Sequence, residues 1–277
     1  MSAIFTRALV LVAAGVLLGT AASGGSISSN ESGIISMAFN AQAGAPMPES
    51  LVVIGATNPP TAAPGGHGPI SYVSFSFLAS DNVPSGLQLC LNCASGRQWY
   101  RTLTLPTVGV WKQYIVPVDY SQGWTIGPWK TEALFQSDTT SVVSAGLTVA
   151  RAGSTAAQNY TVVDFALLGP DWGAGDADGD GASNAAEVQA GTNPFDRSSV
   201  LALSPWNAAD AGHGFGIAWD SVADKFYTVW RGTNLLQPWV PQQTGIPAFV
   251  PRNSYWDAGA TGAGPYFYKV TVDNAAQ

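Results

Sequence analysis

The residues best placed to do chemistry lie together in the run Asp176-Ala177-Asp178-Gly179-Asp180-Gly181-Ala182-Ser183-Asn184-Ala185-Ala186-Glu187. Acids at the first, third and fifth positions, a glycine at the sixth and a glutamate at the twelfth give the spacing of an oxygen cage for calcium. Calcium takes about six to eight oxygens around one tight turn. Asp176, Asp178 and Asp180 supply carboxylates, and Gly181 takes the sharp bend. The backbone carbonyl of Ala182 fills the seventh position, Asn184 or a water it holds fills the ninth, and Glu187 closes the site. The competing reading, a solvated acidic linker, gives no reason for Gly181 and Glu187 to fall where they do. Pro170 to Gly175 is not expected to form an entering helix, whereas Ser183 to Ala190 can be helical with Gly191 as its cap. The spacing therefore predicts half of a helix-loop-helix hand, suited to bracing a structure rather than to sensing.

Other reactive groups are few. Cys90 and Cys93 form a CxxC pair, which can be a redox motif, half of a zinc site or a short disulfide. Leu87 to Leu91 reads as a strand rather than a helix entry. Only His67 and His213 are available as further zinc ligands, so a disulfide clip between Cys90 and Cys93 is expected. No Gly-x-Ser-x-Gly elbow and no His-Glu-x-x-His helix occurs. Glycoside cleavage needs two facing carboxylates, yet the only glutamates are Glu31, Glu49, Glu132 and Glu187. The chain is thus not expected to be an enzyme; Glu132, Asp138 and Asp164 are the acids to inspect. Aromatic rings are the remaining resource, because sugars stack their apolar faces on them. Trp99, Tyr100, Trp111, Tyr120, Trp124 and Trp129 lie in the N-terminal half, with Trp124 and Trp129 flanking the turn Ile126-Gly127-Pro128. Trp124, Trp129, Tyr120 and Trp99 are the candidate ligand-binding residues, and the alternative, that such rings fill the sandwich core, stays open at this point.

The elements that must position these groups are β-strands. Of 277 residues only 10% are charged, while Gly numbers 31 and Pro 18, which excludes a coiled coil or helical repeat. Hydrophobic residues make up 46% and aromatics 11%, enough for buried cores. The net charge of −7 and the lack of Lys or Arg clusters exclude nucleic acid as a partner. Six of the eighteen acids (Asp171, Asp176, Asp178, Asp180, Glu187 and Asp196) sit in the calcium segment. Tyr72 to Phe77, Gln98 to Leu105, Trp111 to Val118, Ser141 to Val149 and Tyr160 to Leu168 alternate with a period of two between turn residues, the pattern of an antiparallel sandwich without helices. Phe215 to Trp219, Phe226 to Arg231 and Tyr266 to Val272 repeat the pattern near the C-terminus.

The N-terminus has one positive charge at Arg7, an apolar run from Ala8 to Leu18 and small residues at Thr20 to Ser23, the plan of a secretory signal peptide cleaved near Ala22. The run is too short to span a bilayer, which needs about 20 residues, so no transmembrane anchor is expected after cleavage. The expected organisation is a signal peptide over 1–22, a β-sandwich over 23–170, a calcium-binding loop-helix segment over 171–199 and a small β-sandwich over 200–277.

Three resemblances add to this all-β reading. Asp176 to Glu187, followed by Gly191-Thr192-Asn193-Pro194-Phe195-Asp196, resembles the thrombospondin type 3-like calcium repeat of secreted bacterial proteins. The resemblance covers about Asp171 to Ser199 in a single copy and implies calcium ligands at Asp176, Asp178, Asp180, Asn184 and Glu187 between two domains. Dockerin modules use a similar loop in duplicate, and no second copy exists here. The strands around Trp111 to Val118 and Tyr160 to Leu167 are similar to jelly-roll domains of the galactose-binding type. Trp219, Tyr227 to Arg231, Leu235-Leu236 and Tyr266 to Val270 resemble small fibronectin type III-like sandwiches. Together they imply a secreted or cell-surface bacterial protein, or a periplasmic one, that binds calcium. Its N-terminal sandwich would hold an extracellular glycan or matrix polymer; the alternative is a structural protein that assembles with copies of itself.

Overall fold

The computed structural model describes residues 10–11, 17–18, 25–29, 33–44, 49–57, 69–127, 130–206, 214–236, 238–261 and 264–273. Trp129, His67, His213 and most of the apolar N-terminal run lie outside them. Among the described residues no helix is long and apolar enough to cross a membrane. The chain divides into two compact units, 1–170 and 171–277.

In the first unit Val10–Leu11 (β1) pairs with Leu17–Leu18 (β2). The body is built from Gly25–Ser29 (β3), Ile35–Phe39 (β4), Ser50–Thr57 (β5), Tyr72–Ala79 (β6), Gly86–Cys93 (β7), Gln98–Thr102 (β8), Lys112–Pro117 (β9), Val142–Ala150 (β10) and Gln158–Leu168 (β11). A four-stranded sheet of order β5-β10-β7-β8 faces a five-stranded sheet of order β3-β4-β11-β6-β9, both antiparallel throughout. The chain crosses repeatedly between sheets, so this is a jelly-roll-like sandwich. Alternation dictates the core: Ile35, Met37, Phe39, Val73, Phe75 and Phe77 on one side meet Leu51, Val53, Leu87, Leu89, Leu91 and Leu147 on the other. A buried guanidinium ties one end. Arg151 pairs with Glu49 at 3.1 Å and donates to the carbonyls of Asn40, Ser154 and Ala156. Those four acceptors are what make a charged group tolerable there.

The unit also contains a helix that period-two reasoning missed, Glu132–Thr139 (α1). Thr131 caps it by accepting the Leu134 N–H at 3.2 Å. Only Phe135 and Asp138 on it are buried, so eight residues offer too narrow an apolar stripe to be recognised.

At the start of the second unit runs Pro170–Ala174 (α2), whose first residue closes the first unit, a five-residue helix where none was expected; the loop and Asn184–Ala190 (α3) follow. Six strands follow: Leu203–Pro205 (β12), Phe215–Asp220 (β13), Phe226–Gly232 (β14), Val240–Pro247 (β15), Arg252–Asp257 (β16) and Phe267–Asp273 (β17). They form two three-stranded antiparallel sheets, β12-β13-β16 and β15-β14-β17. Ile217 and Trp219 from one sheet pack against Tyr227 and Val229 from the other, the four buried members of a small core. On the outer face of β14, Lys269 lies between the rings of Trp230 and Trp239, at 5.2 and 4.9 Å from their centroids.

Candidate functional site

The acidic loop begins where α2 ends. Gly179 and Gly181 both have positive φ, 74° and 100°, the conformation that lets the chain wrap back on itself. Asp176 fixes the turn by accepting the Gly179 N–H at 2.7 Å and the Gly181 N–H at 3.0 Å. Asp178 accepts from the Asp180 N–H and Asp180 from the Ala182 N–H. As a result, one carboxylate oxygen from each of Asp176, Asp178 and Asp180 lies within 4.8 Å of the others, the only such group of metal-type ligands among the described residues. Ser183 caps α3 by accepting from Ala186 N–H, which directs Glu187 on the first turn back toward the loop.

Two atoms test whether a cation fits. Oδ2 of Asp178 and Oε2 of Glu187 are buried, and neither has a hydrogen-bond donor. Buried carboxylate oxygens without donors are costly unless a cation meets them. Burial, and after it the charges of Asp178 and Asp180, push the Glu187 carboxyl above its ordinary range. The donor set is all hard oxygen, which suits calcium and excludes soft-metal preference. Asn184 is turned away from this work: its Oδ1 accepts the Ala177 N–H at 2.9 Å and its amide donates to the Trp172 carbonyl at 2.6 Å. It brackets the loop to α2.

The aromatic residues expected to bind ligand belong largely to the core. Trp99 is fully buried, stacked edge-on against Phe135 at 5.0 Å, and its indole N–H donates to Asp138 at 2.9 Å. Trp124 is 1% exposed and donates to the Pro117 carbonyl. Tyr120 is half-buried and packs on Trp99 and Phe135. These rings seal the gap between β8 and α1, so Trp99 and Trp124 are not a sugar-stacking surface. Trp129 lies outside the described residues; Trp111 is exposed.

Cys90 and Cys93 are free thiols. Both lie on β7, three residues apart. They therefore point to opposite faces, with α-carbons about 10 Å apart, beyond the reach of a disulfide. Cys93 enters the core, while Cys90 is on the outer face opposite Tyr100 and Gly146. Burial pushes Cys90 up to about 11 and Cys93 up to about 12, so neither is a reactive thiolate.

The outer face of the four-stranded sheet holds what sequence reasoning missed. Registers β7–β8 and β7–β10 place Gln88, Cys90 and Asn92 between Gln98, Tyr100 and Thr102 on one side and Ser144, Gly146 and Thr148 on the other. Tyr100 donates to Gln98 at 2.6 Å, Gln98 to Asn92 at 2.6 Å and Asn92 to Ser144 at 2.8 Å, a chain of bonds across three strands. Every member is uncharged. Gly146 leaves a floor without a side chain in the middle row. The signal was present as polar residues of period two in Gln88-x-Cys90-x-Asn92 and Gln98-x-Tyr100-x-Thr102.

The three acids inspected for catalysis do not converge. Asp138 is buried and fully engaged by Ser95, Arg97 and Trp99. Glu132 accepts from Gln136 on the same helix. Asp164 is exposed at a bulge of β11, with φ of 55°.

Residues 176–196 match the bacterial TSP3 repeat family. The repeat is a single copy within a longer chain, and no curated protein matches the sequence. Among solved structures, the chain is similar to a β-1,2-glucanase from Parabacteroides distasonis at 14% identity and a TM-score of 0.34. That match covers 91% of this chain and 34% of the glucanase, so the chain spans about a third of that enzyme's length. It is also similar to the family 11 carbohydrate-binding module of a cellulosomal cellulase of Clostridium thermocellum, at 14% identity and a TM-score of 0.33, over 60% of this chain and 96% of the module. An agarase matches at 13% identity and a TM-score of 0.32, over 56% of this chain and 25% of its own.

Proposed function

We propose that this is an exported calcium-binding protein whose N-terminal sandwich holds a neutral glycan or another extracellular polymer, with calcium stiffening the segment that joins its modules. The observation that carries the polymer reading is the uncharged row Tyr100–Gln98–Asn92–Ser144 on the outer face of the four-stranded sheet. Sugar hydroxyls are both donors and acceptors, and amides, hydroxyls and a phenol already ordered by one another meet them at little entropic cost. The absence of charge in this row favours a neutral chain over an acidic one. Binding rather than turnover fits the dispersed acids. Calcium is supported by the donor-free oxygens of Asp178 and Glu187; Asp176, Asp178, Asp180, the Ala182 carbonyl and Glu187 are the ligands it would use. When bound it supplies the positive charge that these carboxylates lack.

The test is a panel of neutral and acidic polysaccharides presented to the calcium-loaded full chain, with Tyr100→Ala and Asn92→Ala beside it. Retention on a neutral polymer that both substitutions abolish supports the reading. Retention that ignores both, or none at all, removes it. A second reading, self-association in an envelope or matrix, is favoured by the apolar residues that the second unit leaves in solvent, Leu236 at 81% and Phe249 at 75% exposed, with Leu235 and Val250 beside them in sequence. Sedimentation at rising concentration separates the two, since only the second predicts a mass that grows, and Leu236→Lys with Phe249→Lys should abolish that growth.

A further inference from the structure

The last turn of α3 is fastened to the C-terminal sandwich. The Lys225 ammonium, in the turn between β13 and β14, donates to the carbonyl of Gln189 at 2.7 Å and approaches that of Val188 at 3.5 Å. Both carbonyls belong to the end of the helix, where a cation offsets the partial negative charge. The Gln189 side chain donates to the Val272 carbonyl on β17 at 3.1 Å. Gly191 ends the helix with φ of 81°, its N–H on the Glu187 carbonyl. It sits so close to the same turn that a β-carbon there would stand 2.8 Å from Val222 Cγ1 and 3.1 Å from Lys225 Cε.

A seven-residue helix has no stability of its own in water. It exists because the acidic loop holds its first turn and the sandwich holds its last. Glu187 is the shared part, with its carboxylate facing the loop and its carbonyl accepting from Gly191 and Thr192. The sandwich in turn is small: its buried core is Ile217, Trp219, Tyr227 and Val229 among the described residues. A core of that size gains from any further ordered surface.

We infer that calcium in the loop stabilises the C-terminal sandwich through α3, so that this module, and not only the linker, is a calcium-dependent folding unit. The inference rests on the calcium reading above. Coupling of this kind is reciprocal: whatever the metal does for β14 and β17, their contacts with α3 do for the metal.

The experiment is hydrogen–deuterium exchange of the full chain with saturating calcium and with chelator. Calcium is expected to slow amides of β14 and β17 by about tenfold, within the usual range for linked sites. Amides of β6 and β10 in the first unit should not change. In Lys225→Met combined with Gln189→Leu, calcium uptake measured by calorimetry persists and the slowing of β14 and β17 falls away. Glu187→Gln, the control for the metal, abolishes both. Slowing confined to residues 176–190 overturns the coupling while leaving the calcium reading intact, as does full slowing in the double variant. Failure of the wild-type chain to take up calcium overturns both. If the double variant does not fold, the wild-type comparison of β14 and β17 with β6 and β10 still decides the matter.

Discussion

Replacing Asp138 with asparagine tests whether this acid is a clamp or an idle catalytic candidate. Its carboxylate accepts from Ser95 Oγ at 2.8 Å, from Arg97 Nε at 2.8 Å and Nη2 at 2.7 Å, and from the buried Trp99 indole at 2.9 Å. The Arg97 guanidinium above all, with help from Trp99 and Ser95, holds it down from 3.8 to about 2 against the opposing effect of burial. At about 1.4 kcal/mol per pH unit that difference has an upper value of about 2.5 kcal/mol. Arg97 is 43% exposed, and solvent screening at that end leaves about 1–2 kcal/mol. Asparagine removes this and turns an amide donor toward donors, orphaning one of them for about 1–3 kcal/mol more. The expected loss for the first unit at neutral pH is about 2–5 kcal/mol.

A depressed carboxyl stabilises fully above its unfolded value, so the wild-type contribution is flat near neutrality. It declines as pH falls through about 4 and is gone near 2. Urea unfolding followed by tryptophan fluorescence at pH 7, 5, 4 and 3 should therefore show the wild-type advantage over Asp138→Asn narrowing across the last two steps. An advantage that stays constant down to pH 3, or that is below about 0.5 kcal/mol at pH 7, refutes the clamp. Because Asp138 anchors the turn before β8 and the ring behind it, the variant should also weaken any polymer binding by the outer face.

Three further outcomes are expected. Trp124→Ala should destabilise the first unit by about 3–5 kcal/mol, the loss expected for a buried tryptophan, as read by denaturant midpoint; a loss under about 1 kcal/mol would return Trp124 to the surface. Alkylation of the denatured, unreduced protein should add two labels by mass, one each at Cys90 and Cys93; no labelling would mean that they are bonded after all. Glu187→Gln should raise or leave unchanged the thermal midpoint of the second unit in chelator, since a repelled buried charge is gone, while abolishing the rise with calcium. A lowered midpoint in chelator together with an intact calcium response would show that Glu187 does not face the ion.

The sequence by itself determined the features that are local. Period-two alternation of apolar and other residues located β6, β8, β9, β10, β11, β13, β14 and β17, because a pleated strand sends successive side chains to opposite faces and that condition is written directly into neighbouring residues. The acidic loop was legible for a similar reason: its three aspartates, glycine bend and closing glutamate fall within twelve consecutive positions. The tertiary structure decided what depends on register and on distant partners. Trp99 and Trp124 could be read as platform or as core until Asp138, Phe135 and Pro117 arrived from other elements to bury them. Cys90 and Cys93 looked like a clip until β7 ran straight through both and sent them to opposite faces. Asn184 stood, directly or through a water, at the ninth position of the loop, and only the fold showed that its side chain bonds the Ala177 N–H and the Trp172 carbonyl. The row from Tyr100 to Ser144 joins the β7–β8 hairpin, whose strands are close in sequence, to β10, where Ser144 lies 52 residues beyond its partner Asn92. Only pairing could bring it together, because a strand specifies which of its residues share a face but not which strand will lie beside it.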